Sequence, residues 1–239
     1  MADQLCGDNH GCDVFLRYVI PSLGAITALS IFLAPMHSVL QVRNSQKLTV
    51  NPNPFPLLTG NCFGWALYGY LARDYFIMLP NMIGWSTSSF YLFTTYPLLQ
   101  RKQQDTLVGL YIASQALLLF SGCFAFITLG ATDTTGKTLV GIVTTAILVA
   151  FYFSPLSGLL QIIQSNDASS IHMPLALTSL CNGLLWGAYG LTIADYFVAV
   201  PNLFGFLTGC IQVILKVMLP SRSRRGSNAS LHGQSDEES

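Results

Sequence analysis

Long apolar runs, separated by short polar segments, dominate this chain and predict helices that cross a membrane. The runs are long enough to span roughly 30 Å of hydrocarbon. None of them alternates with the period of two that a barrel strand would show, and lipid leaves open backbone groups without partners. The pattern therefore predicts an all-α membrane protein with seven transmembrane helices. The predicted spans are Val14–Val42, Pro54–Ala72, Phe76–Leu99, Thr106–Ala131, Thr138–Ile163, His172–Ile193 and Tyr196–Pro220.

Composition agrees with a membrane protein. Only 9% of the residues are charged, and the mean hydropathy is +0.51. A soluble chain of 239 residues would need more charge on its surface. The net charge is zero, so we expect no nucleic-acid partner. The first 13 residues carry three aspartates and no Lys or Arg, which is not the pattern of a cleavable signal peptide.

One stretch of the chain occurs twice. Trp65–Gly84 reads WALYGYLARDYFIMLPNMIG, and Trp186–Gly205 reads WGAYGLTIADYFVAVPNLFG. The two agree at nine of twenty positions with one constant spacing (186 − 65 = 121). Unrelated segments of this composition would share roughly one or two positions, so we interpret the chain as an internal duplication. Each copy covers three predicted helices.

The distribution of Lys and Arg predicts the orientation. One set of connecting segments, with the start of the tail, carries Arg43, Lys47, Arg101, Lys102, Arg222, Arg224 and Arg225. The opposite side carries Arg17, Arg73 and Lys137. The positive-inside rule then places the N-terminus outside and the tail in the cytosol.

The fourth predicted span has no counterpart elsewhere in the chain. Two three-helix copies joined directly would be inverted, and the extra span restores the same orientation, giving a 3+1+3 arrangement with a pseudo-two-fold axis along the membrane normal. The predicted parts are an extracellular N-terminal segment (1–13), the first three-helix repeat (14–99), a linker with the fourth helix (100–137), the second three-helix repeat (138–220) and a disordered cytosolic tail (221–239).

Amides and aromatic rings recur on one face of the second span of each copy. The spacing i, i+4, i+7 holds Asn61, Trp65 and Tyr68 in the first copy and Asn182, Trp186 and Tyr189 in the second. A rise of roughly 1.5 Å per residue puts the amides and indoles near the middle of the membrane. An indole face suits the C–H surface of a sugar ring, and amides can both donate to and accept from hydroxyl groups.

A second pair of amides, Asn81 and Asn202, each follows a proline in the third helix of its repeat. We expect this pair to reach the same site from the outer side. An intramembrane Asn is as often a tie between helices as a ligand. We favour the ligand role because the amides and indoles recur in both copies while most packing positions differ.

Prolines and outer polar residues are candidates for moving parts. Because a proline removes a backbone donor and loosens a helix, a ring of prolines near the cytosolic side is a plausible hinge. These prolines are Pro35, Pro54, Pro155 and Pro174, with Pro56 an alternative to Pro54. The candidates for closing the outer side are Tyr68, Tyr189, Asp74 and Asp195, and Arg73 is left open as a further member.

The segments LAPMHSVLQV and FSPLSGLLQI, together with the paired YG…D…PN stretches, resemble the SWEET (MtN3/saliva) family of sugar transporters. The resemblance covers Val14–Pro220. The Pro-Gln signature of the wider family is absent, because Met36 follows Pro35 and Leu156 follows Pro155.

The resemblance implies roles for particular residues. Trp65, Trp186, Asn81 and Asn202 match the sugar-contacting positions, Asn61 and Asn182 match positions that set the size of the pocket, and Pro35, Pro54, Pro155 and Pro174 match a proline tetrad. The resemblance also favours Tyr68 with Asp195 as an outer contact.

The function that we expect is facilitative, bidirectional sugar transport by alternating access. No predicted span holds Asp or Glu away from its ends, whereas ion-coupled carriers normally need a buried ionisable group. Because asparagine is bulkier than serine at 61 and 182, we favour a hexose such as glucose. The alternatives are a seven-span receptor, which would lack the duplication, and a Pro-Gln-type carrier of amino acids or other small metabolites. We expect no enzyme activity, cofactor or metal.

The plasma membrane is the expected location, with the Golgi or vacuolar membrane as alternatives. The expected partners are the sugar and the lipid bilayer, and a homo-oligomer is left open. Cys6 and Cys12 flank the outer sequence GDNHG, so a small disulfide loop is left open as well.

Overall fold

The computed structural model of the protein describes residues 6–7, 9–129 and 134–219. The predicted tail 221–239 lies outside the described residues, as do Pro220, residues 130–133 of the predicted linker, and residues 1–5 and 8 of the predicted segment 1–13. Within these ranges the regular secondary structure is helical throughout.

Seven long helices follow one another, and we label them α1 to α7. Helix α1 runs from His10 to Ser45, with a π-helical turn at Phe15–Val19 and a break between Ile20–Leu33 and Met36–Ser45. The others are α2 (Phe55–Ala72), α3 (Tyr75–Thr95), α4 (Arg101–Phe124, continued as a π-helical segment, Ala125–Leu129), α5 (Thr134–Ser165), α6 (Met173–Thr192) and α7 (Tyr196–Met218).

Four of the helices, α1, α4, α5 and α7, are long and apolar enough to cross a membrane by length and composition alone. The remaining three carry no Asp, Glu, Lys or Arg. They contain Asn61, Trp65, Asn81, Asn182 and Trp186, whose amide and indole groups lower their hydropathy. The helices that lack a strong membrane signal are therefore those that hold most of the candidate site.

Helices α1, α4 and α5 begin a turn or more before the predicted spans, at His10, Arg101 and Thr134. Hydropathy marks only the part of a helix that lies in hydrocarbon, whereas backbone hydrogen bonding continues into the polar first turns. The start of α1 is also tied down covalently, because Cys6 and Cys12 form a disulfide.

The turns from α2 to α3 and from α6 to α7 have the same geometry. Arg73 and Ala194 both adopt a left-handed conformation with φ of 56°. The aspartate that follows each of them caps the next helix: Asp74 Oδ1 accepts from the amides of Phe76 and Ile77, and Asp195 Oδ1 accepts from those of Phe197 and Val198. The duplication therefore repeats local hydrogen bonding as well as sequence.

Close packing within each repeat depends on one glycine in this hairpin. A Cβ on Gly69 would lie 2.7 Å from the backbone nitrogen of Met78, and one on Gly190 would lie 2.5 Å from that of Ala199. Only glycine lets the two helices approach this closely.

The repeats are joined by exchanged contacts. The first helix of each repeat packs on the second helix of the other, α1 on α6 and α5 on α2. Helix α4 packs on α2 and α5, where Gly60 and Gly64 admit Ser114 and Thr144. The predicted 3+1+3 arrangement is confirmed. We call the end with the α2–α3 and α6–α7 turns the N-terminal end of the bundle and the other the C-terminal end.

Candidate transport path

A central cavity of about 260 Å³ lies between the repeats, lined by every helix except α4. It brings together all six residues that the sequence predicts as substrate contacts: Asn61, Trp65, Asn81, Asn182, Trp186 and Asn202. The cavity is the only place in the described structure where these six side chains meet, and each pair comes from equivalent helices of the two repeats.

The register of the duplication extends to other residues of the cavity. Helices α2 and α3 match α6 and α7 at a spacing of 121, and α1 matches α5 at 120, as Pro35 and Pro155 do (155 − 35 = 120). On the two first helices the lining residues obey this spacing without exception, namely Ala28, Ile31 and Phe32 on α1 and Leu148, Phe151 and Tyr152 on α5. The cavity therefore has two nearly equivalent walls.

The indole groups are buried but differently held. Trp65 and Trp186 are 7% and 6% exposed. The Trp65 Nε1–H donates to Asn61 Oδ1 on its own helix (3.1 Å), whereas the Trp186 Nε1–H donates to the carbonyl of Gly24 in the other repeat (3.1 Å). A Cβ on Gly24 would lie 3.1 Å from the Trp186 ring, so this glycine makes room for the indole.

The amides of the third helices are oriented by backbone groups. Asn81 Nδ2 donates to the carbonyl of Ile77, and Asn202 Nδ2 donates to that of Val198, both at 2.8 Å. Within the described part of the chain, this leaves each Oδ1 available to the cavity. Acceptor oxygens next to indole rings fit a neutral ligand with many hydroxyl groups.

The amides of the second helices are also engaged. Asn61 Oδ1 accepts from Trp65, and Asn182 Oδ1 accepts from the hydroxyl of Thr27 at 3.1 Å. Their Nδ2 groups make no hydrogen bond to another described residue and can donate into the cavity. The layer formed by the two indoles and four amides thus offers both donors and acceptors.

At the N-terminal end, two tyrosine–aspartate hydrogen bonds cross between the repeats. The Tyr68 hydroxyl lies 2.8 and 2.7 Å from the two carboxylate oxygens of Asp195, and the Tyr189 hydroxyl donates to Asp74 Oδ2 at 2.7 Å. These four residues are the predicted outer contacts, and the structure pairs each tyrosine with the aspartate of the other repeat.

A fifth residue, Lys137, joins this group, although sequence reasoning did not single it out. Its Nζ lies 2.7 Å from Asp195 Oδ2 and 5.2 Å from the centre of the Tyr68 ring. The cation that binds Asp195 is therefore Lys137 rather than Arg73, which is exposed in the turn before α3. The repeat spacing of 120 makes Lys137 the counterpart of Arg17, and that relation could have drawn attention to it.

The polar group at the N-terminal end borders a vestibule of about 450 Å³. This vestibule and the central cavity have no lining residue in common. Between them pack the rings of Trp65 with Tyr68, at 5.4 Å, and of Trp186 with Tyr189, at 5.9 Å. The central cavity is therefore closed toward the N-terminal end.

The predicted hinge prolines lie toward the C-terminal end in different settings. Pro35 stands at the break in α1, whereas Pro155 lies inside the continuous backbone of α5. Pro54 precedes α2, and Pro56 lies in its first turn, as Pro174 does in α6. A hinge role remains a prediction for all of them.

Some lining residues were missed by the sequence reasoning. They are Phe32, Tyr152, Ser179, Thr208 and Gln212, which follow the indole and amide layer toward the C-terminal end. Phe32, Tyr152, Ser179 and Gln212 each have a different residue at the equivalent position of the other repeat and so gave no repeated signal. Thr208 has an identical counterpart, Thr87, but this pair lies just beyond the duplicated stretch.

The family model described as "Sugar efflux transporter for intercellular exchange" matches residues 18–104 and 138–224, which are the two repeats. The chain belongs to this family, the MtN3/saliva or SWEET family. The family consists of membrane transporters rather than enzymes, and its two matched segments leave α4 as the linker.

Similar proteins carry the same family name. The chain is 31% identical over 186 residues to sugar transporter SWEET1 of Xenopus laevis, covering 77% of this chain and 84% of that protein. It is 25% identical over 204 residues to bidirectional sugar transporter SWEET7b of Oryza sativa subsp. japonica, covering 84% and 77%. A solved structure of a eukaryotic SWEET transporter has the same fold, with a TM-score of 0.75 at 21% identity over 85% of this chain and 96% of the other.

Proposed function

We propose that the protein is a facilitative, bidirectional sugar transporter that works by alternating access and prefers a hexose such as glucose. The observation that carries this proposal is the layer of two indoles and four amides between the pseudo-symmetric repeats, together with membership of a family of sugar transporters. The tyrosine–aspartate contacts beyond this layer provide a closure for the N-terminal end.

Uncoupled transport is supported by where the acidic groups lie. Every aspartate of the described residues lies in a connecting segment or within the first two turns of a helix. Asp195 is buried, but its carboxylate is engaged by Tyr68, Lys137 and the cap of α7; Asp74 caps α3 and accepts from Tyr189. Transport of labelled glucose should equilibrate in both directions and survive an uncoupler; accumulation that the uncoupler abolishes would exclude a uniporter.

A hexose fits the size of the site better than a disaccharide. Asn61 and Asn182 line the central cavity of about 260 Å³ together with the indoles, and asparagine is bulkier than serine. Uptake of labelled glucose, fructose and sucrose by proteoliposomes should therefore favour the hexoses, and amino acids should not compete. The double variant Asn61→Ser, Asn182→Ser should gain sucrose transport and lose glucose affinity. Equal transport of sucrose and glucose by the unaltered protein would contradict the size argument.

For orientation, we place the N-terminal end outside the cell and the C-terminal end in the cytosol, with the protein in the plasma membrane. The support is the excess of Lys and Arg in the segments at the C-terminal end. A tag before Ala2 should be reached by antibody on intact cells, and a tag after Ser239 only after permeabilisation. Staining of internal membranes alone would move the protein to the Golgi or vacuole.

A homo-oligomer is compatible with the outer face of α4, where Phe120 and Ile112 are exposed. Cross-linking in native membranes would measure the oligomeric state.

A further inference from the structure

The two walls of the central cavity differ in polarity on the C-terminal side of the indole and amide layer. Three pairs of residues related by the repeat spacing carry this difference. They are Leu58 and Ser179, Phe32 and Tyr152, and Tyr91 and Gln212. In each pair the member from the second repeat lines the cavity and carries a hydroxyl or amide group.

The first-repeat wall is closed to polar contact at these positions. Tyr91 is 0% exposed, and its hydroxyl donates to the carbonyl of Phe32 at 2.8 Å. Its ring packs 5.5 Å from that of Phe55 in an apolar cluster with Val39 and Leu92. The first repeat therefore presents Leu58 and the Phe32 ring to the cavity and keeps the Tyr91 hydroxyl for its own backbone.

The second-repeat wall carries polar groups that can form further hydrogen bonds. Neither the Ser179 hydroxyl nor the Gln212 amide is hydrogen-bonded to another residue that the structure describes. The Tyr152 hydroxyl donates to the carbonyl of Pro201 at 3.3 Å and can still accept a hydrogen bond. It is admitted there by Gly205, because a Cβ at that position would lie 2.9 Å from the hydroxyl oxygen.

Gln212 connects two spaces. It lines the central cavity and also a cavity of about 510 Å³ at the C-terminal end, between α5, α6 and the segment that joins them. Polar groups of Gln161, Ser165, Ser170 and His172 line this second space. Polar residues of the second repeat therefore line both the central cavity and the cavity at the C-terminal end, with Gln212 common to the two.

We propose that Ser179, Tyr152 and Gln212 form a second carbohydrate-contacting site, by which the sugar passes between the indole layer and the C-terminal end. A sugar leaving the indoles must replace its hydrogen bonds. Beyond that layer, Ser179 and Gln212 make no hydrogen bond to another described residue, and the Tyr152 hydroxyl, which donates to the Pro201 carbonyl, can still accept one. This inference rests on the proposed sugar transport and adds a direction: the sugar moves along one wall rather than down the pseudo-two-fold axis.

Cysteine labelling tests the water access that this second site requires. Cys62, Cys123, Cys181 and Cys210 would first be changed to Ala, leaving the Cys6–Cys12 disulfide, in a background that still takes up glucose. Gln212→Cys should then react readily with a membrane-impermeant thiol reagent applied from the C-terminal end, and its repeat counterpart Tyr91→Cys should not. Equal reaction rates at Gln212→Cys and Tyr91→Cys would overturn the proposal that the path follows the second-repeat wall.

Sugar protection tests the contact itself. Glucose, but not the same concentration of glycine, should slow the labelling of Gln212→Cys and Ser179→Cys. Normal glucose uptake without any protection at either position would overturn the second site while leaving the proposed function intact. Failure of glucose uptake by the unaltered protein would instead count against the proposed function, since the labelling rates without sugar depend only on water access.

Transport by a conservative pair of variants completes the test. Gln212→Leu should weaken the apparent glucose affinity by roughly fivefold to tenfold, the effect of losing one hydrogen bond, and Gln212→Asn should restore most of it. The same loss in both variants would indicate a packing role and overturn the contact.

Discussion

The two ends of the bundle are held by different kinds of contact. At the N-terminal end, the hydrogen bonds from Tyr68 to Asp195 and from Tyr189 to Asp74 each join one repeat to the other. At the C-terminal end, contacts such as the hydrogen bond from Lys216 Nζ to the carbonyl of Ala168 stay within one repeat. Contacts between repeats close a path, whereas contacts within a repeat let the two repeats separate as rigid units.

This difference identifies the state of the path. The central cavity shares no lining residue with the vestibule at the N-terminal end, whereas it shares Gln212 with the cavity at the C-terminal end. To open the N-terminal end, the protein must break the buried Tyr68–Asp195 bond, the partly buried Tyr189–Asp74 bond and the Lys137–Asp195 pair. Under alternating access, new contacts between the repeats must then form near the prolines.

Removing an indole should have the largest effect, because the indoles separate the two ends. Trp65→Ala and Trp186→Ala should each abolish most glucose transport, since the proposed stacking surface for the sugar would be lost. Trp186→Ala should also loosen the N-terminal end, because only this indole bonds across the repeats, to Gly24. Uptake and the thermal midpoint of the detergent-solubilised protein would be measured, with gel filtration to confirm folding. Near-normal transport in both variants would show that the rings only fill space.

Neutralising the bonded aspartates should rank second. Asp195→Asn should reduce transport strongly and lower the free energy of unfolding by about 2 kcal/mol, because the buried carboxylate serves Tyr68, Lys137 and a helix cap together. Asp74→Asn is the matched control and should be milder, since Asp74 has no ion pair with another described residue within 4 Å. Thermal unfolding and glucose uptake would be measured for both variants. Identical losses of stability and of uptake would contradict the view that Asp195 contributes more than Asp74 to closing the N-terminal end.

Lys137 should have a smaller effect. Lys137→Met removes the charge beside Asp195 but leaves the Tyr68 hydrogen bond, so the rate of glucose uptake should change by only roughly twofold to fivefold. Lys137→Arg should retain the ion pair with Asp195 and leave uptake nearly unchanged. The side chain of Lys137 is 33% exposed, which limits its contribution. Thiol labelling at the vestibule should report more time in the open state for Lys137→Met than for Lys137→Arg. Unchanged labelling would mean that the lysine does not hold the end closed.

The prolines should give the smallest effect. Pro35→Ala restores a backbone donor at the break in α1 and should slow transport by roughly twofold to threefold through a stiffer C-terminal end. Pro155→Ala lies where the α5 backbone is already continuous, so it should slow transport less. Uptake over seconds would separate the two, and an equal or reversed order would remove Pro35 as the main hinge.

The features that both repeats share could be predicted from the sequence because the same residues recur at a constant spacing. The spacing of Trp65 and Trp186 located both the architecture and the indole and amide layer. Lys137 was missed because the apolar run placed the start of α5 after it, although the helix begins at Thr134. Gln212 was missed because its counterpart in the first repeat, Tyr91, is a different residue, so the duplication gave no signal there. Only the packing shows that Gln212 lines the cavity and that Tyr91 does not.

Because Cys6 and Cys12 form a disulfide, the number of free thiols in the protein reports on which side of the membrane its N-terminus lies. The chain has six cysteines, of which four are free in the structure. A cytosolic N-terminus would be kept reduced by glutathione, and alkylation of the unreduced, denatured protein would then modify all six. An N-terminus in an oxidising compartment would leave two unmodified. Mass spectrometry of the intact chain could therefore report its orientation without any tag, antibody or transport assay.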